Sequence, residues 1–394
     1  MGDVLDRSRH SLHDHVALAD PHKAAMTQHL SALQMKRSVH LAAVDDTRNL
    51  QAKATSHAFP ITTVSTNLNF DAYIAVGFKG GDSSSATHLI VDSGNTSLIV
   101  PRWEDIEAIP DYQASYRILG QATEPWGCPA NVVKGPIQLF DSTGGLFTID
   151  GCTFFACTGD SPLHGHRTAN FGTGCIAPWT ASPTNVLPGL GITLQPILSQ
   201  TDYPYVEFDY APMEPVQEAG ATAAVHVHSM IRIHSVVPDG FFLLDIVHDC
   251  RWMALIPTGL SIAGSPTKWP GALASPIAMI DTGGGPVYLS DPHDYLCSSE
   301  WPEPVANPFW AADSTVAKSI QAPIEITVGD EFGSYSYVIN NARFPVADQG
   351  ITLVMSPQNT FMMGQQGMNV GGISALANAI LVDYKNRKVG FRKK

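Results

Sequence analysis

Two short stretches carry residue types that could do chemistry together. The first, His88-Leu89-Ile90-Val91-Asp92-Ser93-Gly94-Asn95-Thr96, is an apolar run that delivers one carboxylate into a tight turn. The second, Ala278-Met279-Ile280-Asp281-Thr282-Gly283-Gly284-Gly285, has the same grammar: apolar residues, an Asp, a small hydroxyl residue and a Gly. The Gly after each Asp-Ser or Asp-Thr pair lets the backbone turn tightly and approach a twin. The hydroxyls of Ser93 and Thr282 can hydrogen-bond across to the other half. Two carboxylates held close cannot both ionise cheaply, so such a pair tends to share one proton. It can then deprotonate a bound water with one Asp and protonate a carbonyl or leaving group with the other. One Asp-[Ser/Thr]-Gly is most often an ordinary turn. Two copies, each after an apolar strand and roughly one domain length apart, point to a shared site.

The elements that must position these turns read as short strands. Residues 87–91 lead into the first turn and 97–100 lead out; residues 276–280 and 287–289 do the same for the second. Further strands are expected at 61–66, 73–78, 132–140, 146–149, 153–157, 205–210, 224–234, 240–247 and 252–256. Residues 324–328 and 334–339 flank Gly329-Asp330-Glu331 as a hairpin, and 379–391 reads as two strands joined by a polar turn. Helical patterns are confined to 290–296, 372–378 and the polar N-terminal part at 21–50. The stretch 211–220 carries two Pro and no apolar periodicity, so it reads as a boundary. The expected organisation is a polar extension or pro-segment at 1–58, a first lobe at 59–212 and a second at 213–394. If the extension is inhibitory, one of Lys23, Lys36, Arg37 or Lys53 would pair with the two aspartates.

Composition narrows the class. The 394 residues are 44% hydrophobic and 15% charged, as in a globular chain with a large core. Thirty-three Gly and 28 Pro supply many turns, which suits β structure. A formal charge of −13 leaves no basic surplus for a nucleic acid. No apolar run approaches the ~20 residues of a membrane-spanning helix. Six cysteines form no C-x-x-C pair, which argues against a zinc ribbon. Cys152 and Cys157 are near enough in sequence to close a small loop, and Cys250 with Cys297 to staple the second half. Six buried thiols are the equal alternative. No apolar leader follows Met1, so the expected location is intracellular, or secreted or vacuolar if a leader has been removed.

Beyond the two Asp turns, Asp71-Ala72-Tyr73-Ile74-Ala75-Val76-Gly77 and Asn95-Thr96-Ser97-Leu98-Ile99-Val100-Pro101 flank the first turn in a familiar way. With Phe361-Met362-Met363-Gly364, Gly172-Thr173-Gly174-Cys175-Ile176-Ala177 and the closing run Val382-Asp383-Tyr384 to Val389-Gly390-Phe391, they make residues 60–394 resemble the pepsin-like, two-lobed aspartic proteases. The resemblance implies a mainly β, bilobal fold: two similar β-barrel-like lobes with a cleft between them. It further implies catalytic Asp92 and Asp281, supporting turn residues Ser93, Gly94, Asn95, Thr282, Gly283 and Gly284, and a flap that best matches Trp126-Gly127. The Phe361–Gly364 and Gly172–Ala177 runs would thread behind the second and first Asp turns. The implied activity is endopeptidase action through a bound water, on a polypeptide, by a monomer that needs no metal or organic cofactor.

The chain departs from that family where a hydroxyl residue usually follows each Asp-[Ser/Thr]-Gly. Asn95 could donate through its amide, whereas Gly284 has no side chain, so Asp281 is expected to lack a partner. Trp126 stands where the family has a Tyr, offering a donor but no acceptor. These changes motivate a second expectation: a non-proteolytic enzyme on the same fold, doing isomerisation, dehydration or cyclisation on a small molecule. A third, weaker one is a non-catalytic binding protein. Gly172 to Ala177 also spells G-x-G-x-x-A, but no strand precedes it, which argues against a dinucleotide site. His226, His228 and His234 share one strand face and read as solvated rather than metal-binding.

Overall fold

The computed structural model describes residues 56–66, 70–81, 86–162, 165–175, 186–187, 190, 192–211, 223–247, 253–285, 287–290, 305–306, 316–320, 323–339, 351–356 and 366–394. The chain divides into two units, Met1–Ala52 and Lys53–Lys394, and every described residue belongs to the second. The N-terminal helical pattern and Lys23, Lys36, Arg37 and Lys53 lie outside the described residues, as do Phe361–Gly364, Cys250, Cys297 and most of 290–296.

The described part is mainly β. Eight strands come first: β1 (Ser56–Thr66), β2 (Phe70–Phe78), β3 (Thr87–Asp92), β4 (Leu98–Val100), β5 (Arg117–Thr123), β6 (Pro129–Phe140), β7 (Leu146–Cys157) and β8 (Asn170–Gly172). A short helix α1 (Trp103–Glu107) follows β4. Next are β9 (Val186–Leu187), β10 (Ile192–Thr193), β11 (Tyr205–Asp209), β12 (Ala223–His234), β13 (Phe242–Asp245), β14 (Ala254–Ile262), β15 (Ser265–Pro266), β16 (Ile277–Met279) and β17 (Val287–Ser290). The last are β18 (Val305–Ala306), β19 (Val316–Ile320), β20 (Ile324–Gly329), β21 (Ser334–Ile339), β22 (Ile351–Ser356), β23 (Gly367–Asn369), β24 (Asn378–Asp383) and β25 (Lys388–Lys393), with helix α2 (Ser374–Ala377) between β23 and β24. Strand β1 begins at Ser56, inside the stretch read as an extension. The runs 146–149 and 153–157 are a single strand, β7, which continues through Gly151 at positive φ.

A 13-stranded sheet runs β13-β25-β24-β11-β12-β1-β2-β3-β8-β4-β7-β6-β5, and a second sheet holds β14 to β23. One arrangement occurs in both. In the first sheet β8 lies between β3 and β4, parallel to β3 and antiparallel to β4. In the second, β23 lies between β16 and β17, parallel to β16 and antiparallel to β17. Each apolar run before an Asp alternates as a strand and buries a face in the core; on β3 the opposite face, with His88 and Ile90, is half-buried. Leu89, Val91, Ala278 and Ile280 are all at most 1% exposed and belong to one continuous core. Such burial is worth about 1.5–3 kcal/mol for each large aliphatic side chain.

The proposed Cys152–Cys157 loop does not exist: both are free, buried thiols. They sit on one extended strand, where a rise of about 3.3 Å per residue carries their Cα atoms well beyond the ~7 Å that a disulfide tolerates. Burial pushes both thiols up to about 12. Of the three strand histidines, His228 is exposed as expected. His234 instead pairs with buried Glu207 at 2.9 Å.

Glu207 anchors an ionic network on the inner strands of the large sheet. Its carboxylate takes Arg392 at 2.6 Å and Arg232 at 3.3 Å, and Arg232 reaches Asp209 at 2.5 Å. Burial acts to raise the pKa of Glu207 and Asp209, but the hydrogen bonds and cations outweigh it and hold both below the usual carboxylate range. The stability they confer is thus present above the ordinary carboxylate pKa of about 4 and lost as pH falls through the lower folded values. Glu207→Gln removes the charge that Arg232 and Arg392 face and that His234 hydrogen-bonds. It should cost roughly 2–4 kcal/mol at neutral pH, with a smaller deficit in acid, read by thermal unfolding across pH.

Candidate functional site

Each aspartate is delivered by a strand whose neighbour is fixed residue by residue. On β3 and β8, Ile90 pairs with Asn170, Val91 with Phe171 and Asp92 with Gly172. On β16 and β23, Ile277 pairs with Gly367, Ala278 with Met368 and Met279 with Asn369. The backbone beyond β8 then wraps the first turn: Thr173 N donates to Asp92 O at 2.8 Å and Gly174 N to Asn95 O at 2.8 Å. Beyond β23, Val370 N donates to Met279 O at 3.0 Å.

The two turns interlock through their hydroxyl residues. Ser93 N donates to Thr282 Oγ1 at 3.0 Å, and Thr282 N donates to Ser93 Oγ at 2.9 Å. The hydroxyls pass on in turn, Ser93 Oγ to Ile280 O at 2.9 Å and Thr282 Oγ1 to Val91 O at 3.0 Å. Both side chains are wholly buried, so every donor and acceptor is satisfied without water. The buried Tyr210 phenol lies beside Thr282.

This interlock brings the carboxylates together. A Cβ on Gly94 would sit 2.7 Å from Asp281 Cγ, and one on Gly283 would sit 2.6 Å from Asp92 Cγ. Both positions must be Gly for the opposing carboxylate to come so close. Asp92 Oδ1 accepts Gly94 N at 2.7 Å, while Asp281 Oδ1 accepts Gly283 N at 3.0 Å and Gly284 N at 3.1 Å. Burial, then the negative charge of Asp281, raise Asp92 well above the usual carboxylate range. The two carboxylates are close enough to act on one another directly, an arrangement in which a proton can be shared.

The remaining carboxylate oxygens are held by two asparagines that sequence reasoning missed. Asn170 Nδ2 donates to Asp92 Oδ2 and Asn369 Nδ2 to Asp281 Oδ2, each at 2.5 Å. The signal was available as a repeat: Asn170-Phe171-Gly172 and Asn369-Val370-Gly371 share one pattern, Asn-apolar-Gly. Asn95 acts differently from the expectation. Its amide donates to Asn170 Oδ1 at 3.2 Å, so it orients the group that contacts Asp92. The expected lack of a partner at Asp281 is also corrected. A Cβ at Gly284 would lie 3.1 Å from Asn369 Nδ2, so the space left by the missing side chain is where Asn369 reaches in.

Ser93, Gly94, Asn95, Thr282, Gly283 and Gly284 are thus gathered around Asp92 and Asp281. Trp126 and Gly127 lie at the tip of the β5–β6 hairpin. There the buried Glu124 carboxylate accepts Trp126 N at 2.9 Å and Cys128 N at 2.7 Å, and Gly127 turns at positive φ. Trp126 packs with Leu119, Leu190 and Ile192 against a small apolar cluster. Among the described residues no group of three or more His, Cys, Asp or Glu could hold a metal ion. No helix among them is long and apolar enough to cross a membrane. No family model matches the chain, and no curated protein is detectably similar to it.

Because Ser93 and Thr282 share their bonds, their substitution should be strongly non-additive. Ser93→Ala and Thr282→Val should each cost about 2–3 kcal/mol, and the double variant clearly less than the sum, measured by urea unfolding.

Proposed function

We propose that the protein is an aspartic endopeptidase-like hydrolase with a bilobal, pepsin-like fold, acting through Asp92, Asp281 and a water held between them. The observation that carries this reading is the reciprocal bonding of Ser93 and Thr282, which holds two carboxylates from matching strand–turn units within reach of one another. In the proposed reaction the ionised Asp takes a proton from the water, which attacks a peptide carbonyl. The protonated Asp hydrogen-bonds that carbonyl oxygen as it gains charge. As the C–N bond of the tetrahedral adduct breaks, the proton taken from the water passes to the departing nitrogen, and the pair is left sharing one proton as before. No residue beyond the pair is required to supply or remove a proton.

A second reading, acid–base chemistry on a small molecule, is favoured by the hairpin. Its tip is braced internally by Glu124, and its Trp126 packs against the small apolar cluster that includes Val132 and Phe155. A braced, apolar tip suits closure over a compact ligand better than adjustment to an extended chain.

The test is cleavage of an unfolded protein across pH, with a statine-type transition-state mimic as competitor. Cleavage should be blocked by the mimic and reduced about 10³-fold or more by Asp92→Asn. Because Asp92 is raised, the proton-sharing state should persist above the ordinary carboxylate range, and activity should fall as pH rises through the pair's upper apparent pKa. No cleavage at any pH, with the mimic unbound, would leave the small-molecule reading in possession.

A further inference from the structure

We infer that Asn170 and Asn369 are the positioning residues of the carboxylate pair, and that their unequal surroundings make Asp281 the charged member and Asp92 the proton holder. The inference rests on reading Asp92 and Asp281 as the working acid–base pair, and it assigns the role of each.

The direction of both amides follows from what anchors them. Thr96 N donates to Asn95 Oδ1 at 2.8 Å and Ser97 N to the same oxygen at 3.3 Å. A backbone N–H can only donate, so the Asn95 amide must present its NH₂ outward, to Asn170 Oδ1. Asn170 must then present its own NH₂ to Asp92 Oδ2. At the other aspartate a single step suffices: Gly371 N donates to Asn369 Oδ1 at 2.9 Å, which turns the Asn369 NH₂ onto Asp281 Oδ2. Both chains begin at backbone donors, so neither amide can flip without leaving a buried N–H unpaired. Asn170 is 4% exposed and Asn369 5%, which leaves water little access to repair such a loss.

The two carboxylates are not served equally. Asp281 accepts three donors: Gly283 N, Gly284 N and Asn369 Nδ2. Asp92 accepts two, Gly94 N and Asn170 Nδ2, and is 7% exposed where Asp281 is half-buried. More donors and more solvent favour the charge on Asp281; fewer donors and deeper burial favour the proton on Asp92. Apart from each other, the titratable group that the described residues bring to the pair is Tyr210. Burial keeps its phenol protonated.

This division makes the two asparagines separable by experiment. Asn369 acts on a carboxylate that is charged as soon as the pair has lost its first proton. Asn170 acts on one that becomes charged only with the second. In the full-length chain labelled with ¹³C at the Asp carboxyls, the pair should titrate in two steps, assigned by Asp92→Asn and Asp281→Asn, each of which leaves one step. Asn369→Leu should raise the lower apparent pKa by about one unit or more and leave the upper in place. Asn170→Leu should raise the upper and leave the lower in place. Asn95→Ala, at a half-buried turn position, keeps Asn170 but frees its amide, and should raise the upper value by less. It carries the same test should a leucine at 170 prevent folding, as judged by thermal unfolding. If Asn170→Leu and Asn369→Leu move the same step, or if neither Asn170→Leu nor Asn95→Ala moves the upper one, the assignment is overturned. These titrations need no substrate. Shifts as expected without peptide cleavage would keep the assignment and reject the endopeptidase, whereas cleavage without the shifts would do the reverse.

Discussion

Everything at the site depends on four hydrogen bonds made by two buried hydroxyl residues. Ser93 and Thr282 each give a backbone N–H to the other's oxygen and pass a hydroxyl proton to a carbonyl of the opposite strand. The constraint is mutual: neither turn can shift without stranding polar groups of the other in a dry interior. It is also what allows like charges to be neighbours. Carboxylates repel when both ionise, and only a rigid backbone keeps them close enough to share a proton instead of separating. Gly94 and Gly283 complete the constraint by removing the side chains that would hold the carboxylates apart.

Once the pair is forced together, its remaining oxygens must be satisfied in a site with little water. The chain does so with strands rather than with the turns themselves. β8 and β23 each thread beside an Asp strand and place an asparagine, at opposite ends of those short strands, against a carboxylate. An amide brings two donors and one acceptor, so it needs its own orientation to be set, which a hydroxyl that rotates freely does not. Asn95 supplies that orientation on one side and Gly371 N on the other.

The Asp turns, their flanking strands and the closing hairpin were legible in the sequence because each is a local pattern: an apolar run, a turn cluster, an apolar run. The asparagines were not, since their role exists only once β8 lies beside β3 and β23 beside β16, and pairing between distant strands leaves no periodicity of its own. For the same reason the run Phe361–Gly364 looked like the second threading strand, while the described strand beside β16 is Gly367–Asn369. Of the two cysteine readings, the Cys152–Cys157 loop fails on geometry, since sequence proximity means distance on an extended strand, and the buried-thiol reading holds for the four described cysteines. Glu124 was passed over because a carboxylate next to Pro125 and Trp126 reads as an exposed loop residue, whereas it is 2% exposed and caps its own hairpin.

The carboxylates of this protein are thereby sorted into two populations with opposite needs. Glu207 and Asp209 stabilise the large sheet only while ionised, facing Arg232, His234, Arg392 and Lys394. The Asp92–Asp281 pair can do acid–base work only while it retains one proton, and the burial of Asp92 favours that retention. Acid strong enough to protonate the sheet network removes its contribution to the fold, and base strong enough to strip the pair removes its acid. The raised Asp92 and the lowered network are therefore compatible. The lowered network keeps the framework charged further into acid, and the raised Asp92 carries the singly protonated site above the ordinary carboxylate range, so both shifts favour their coexistence.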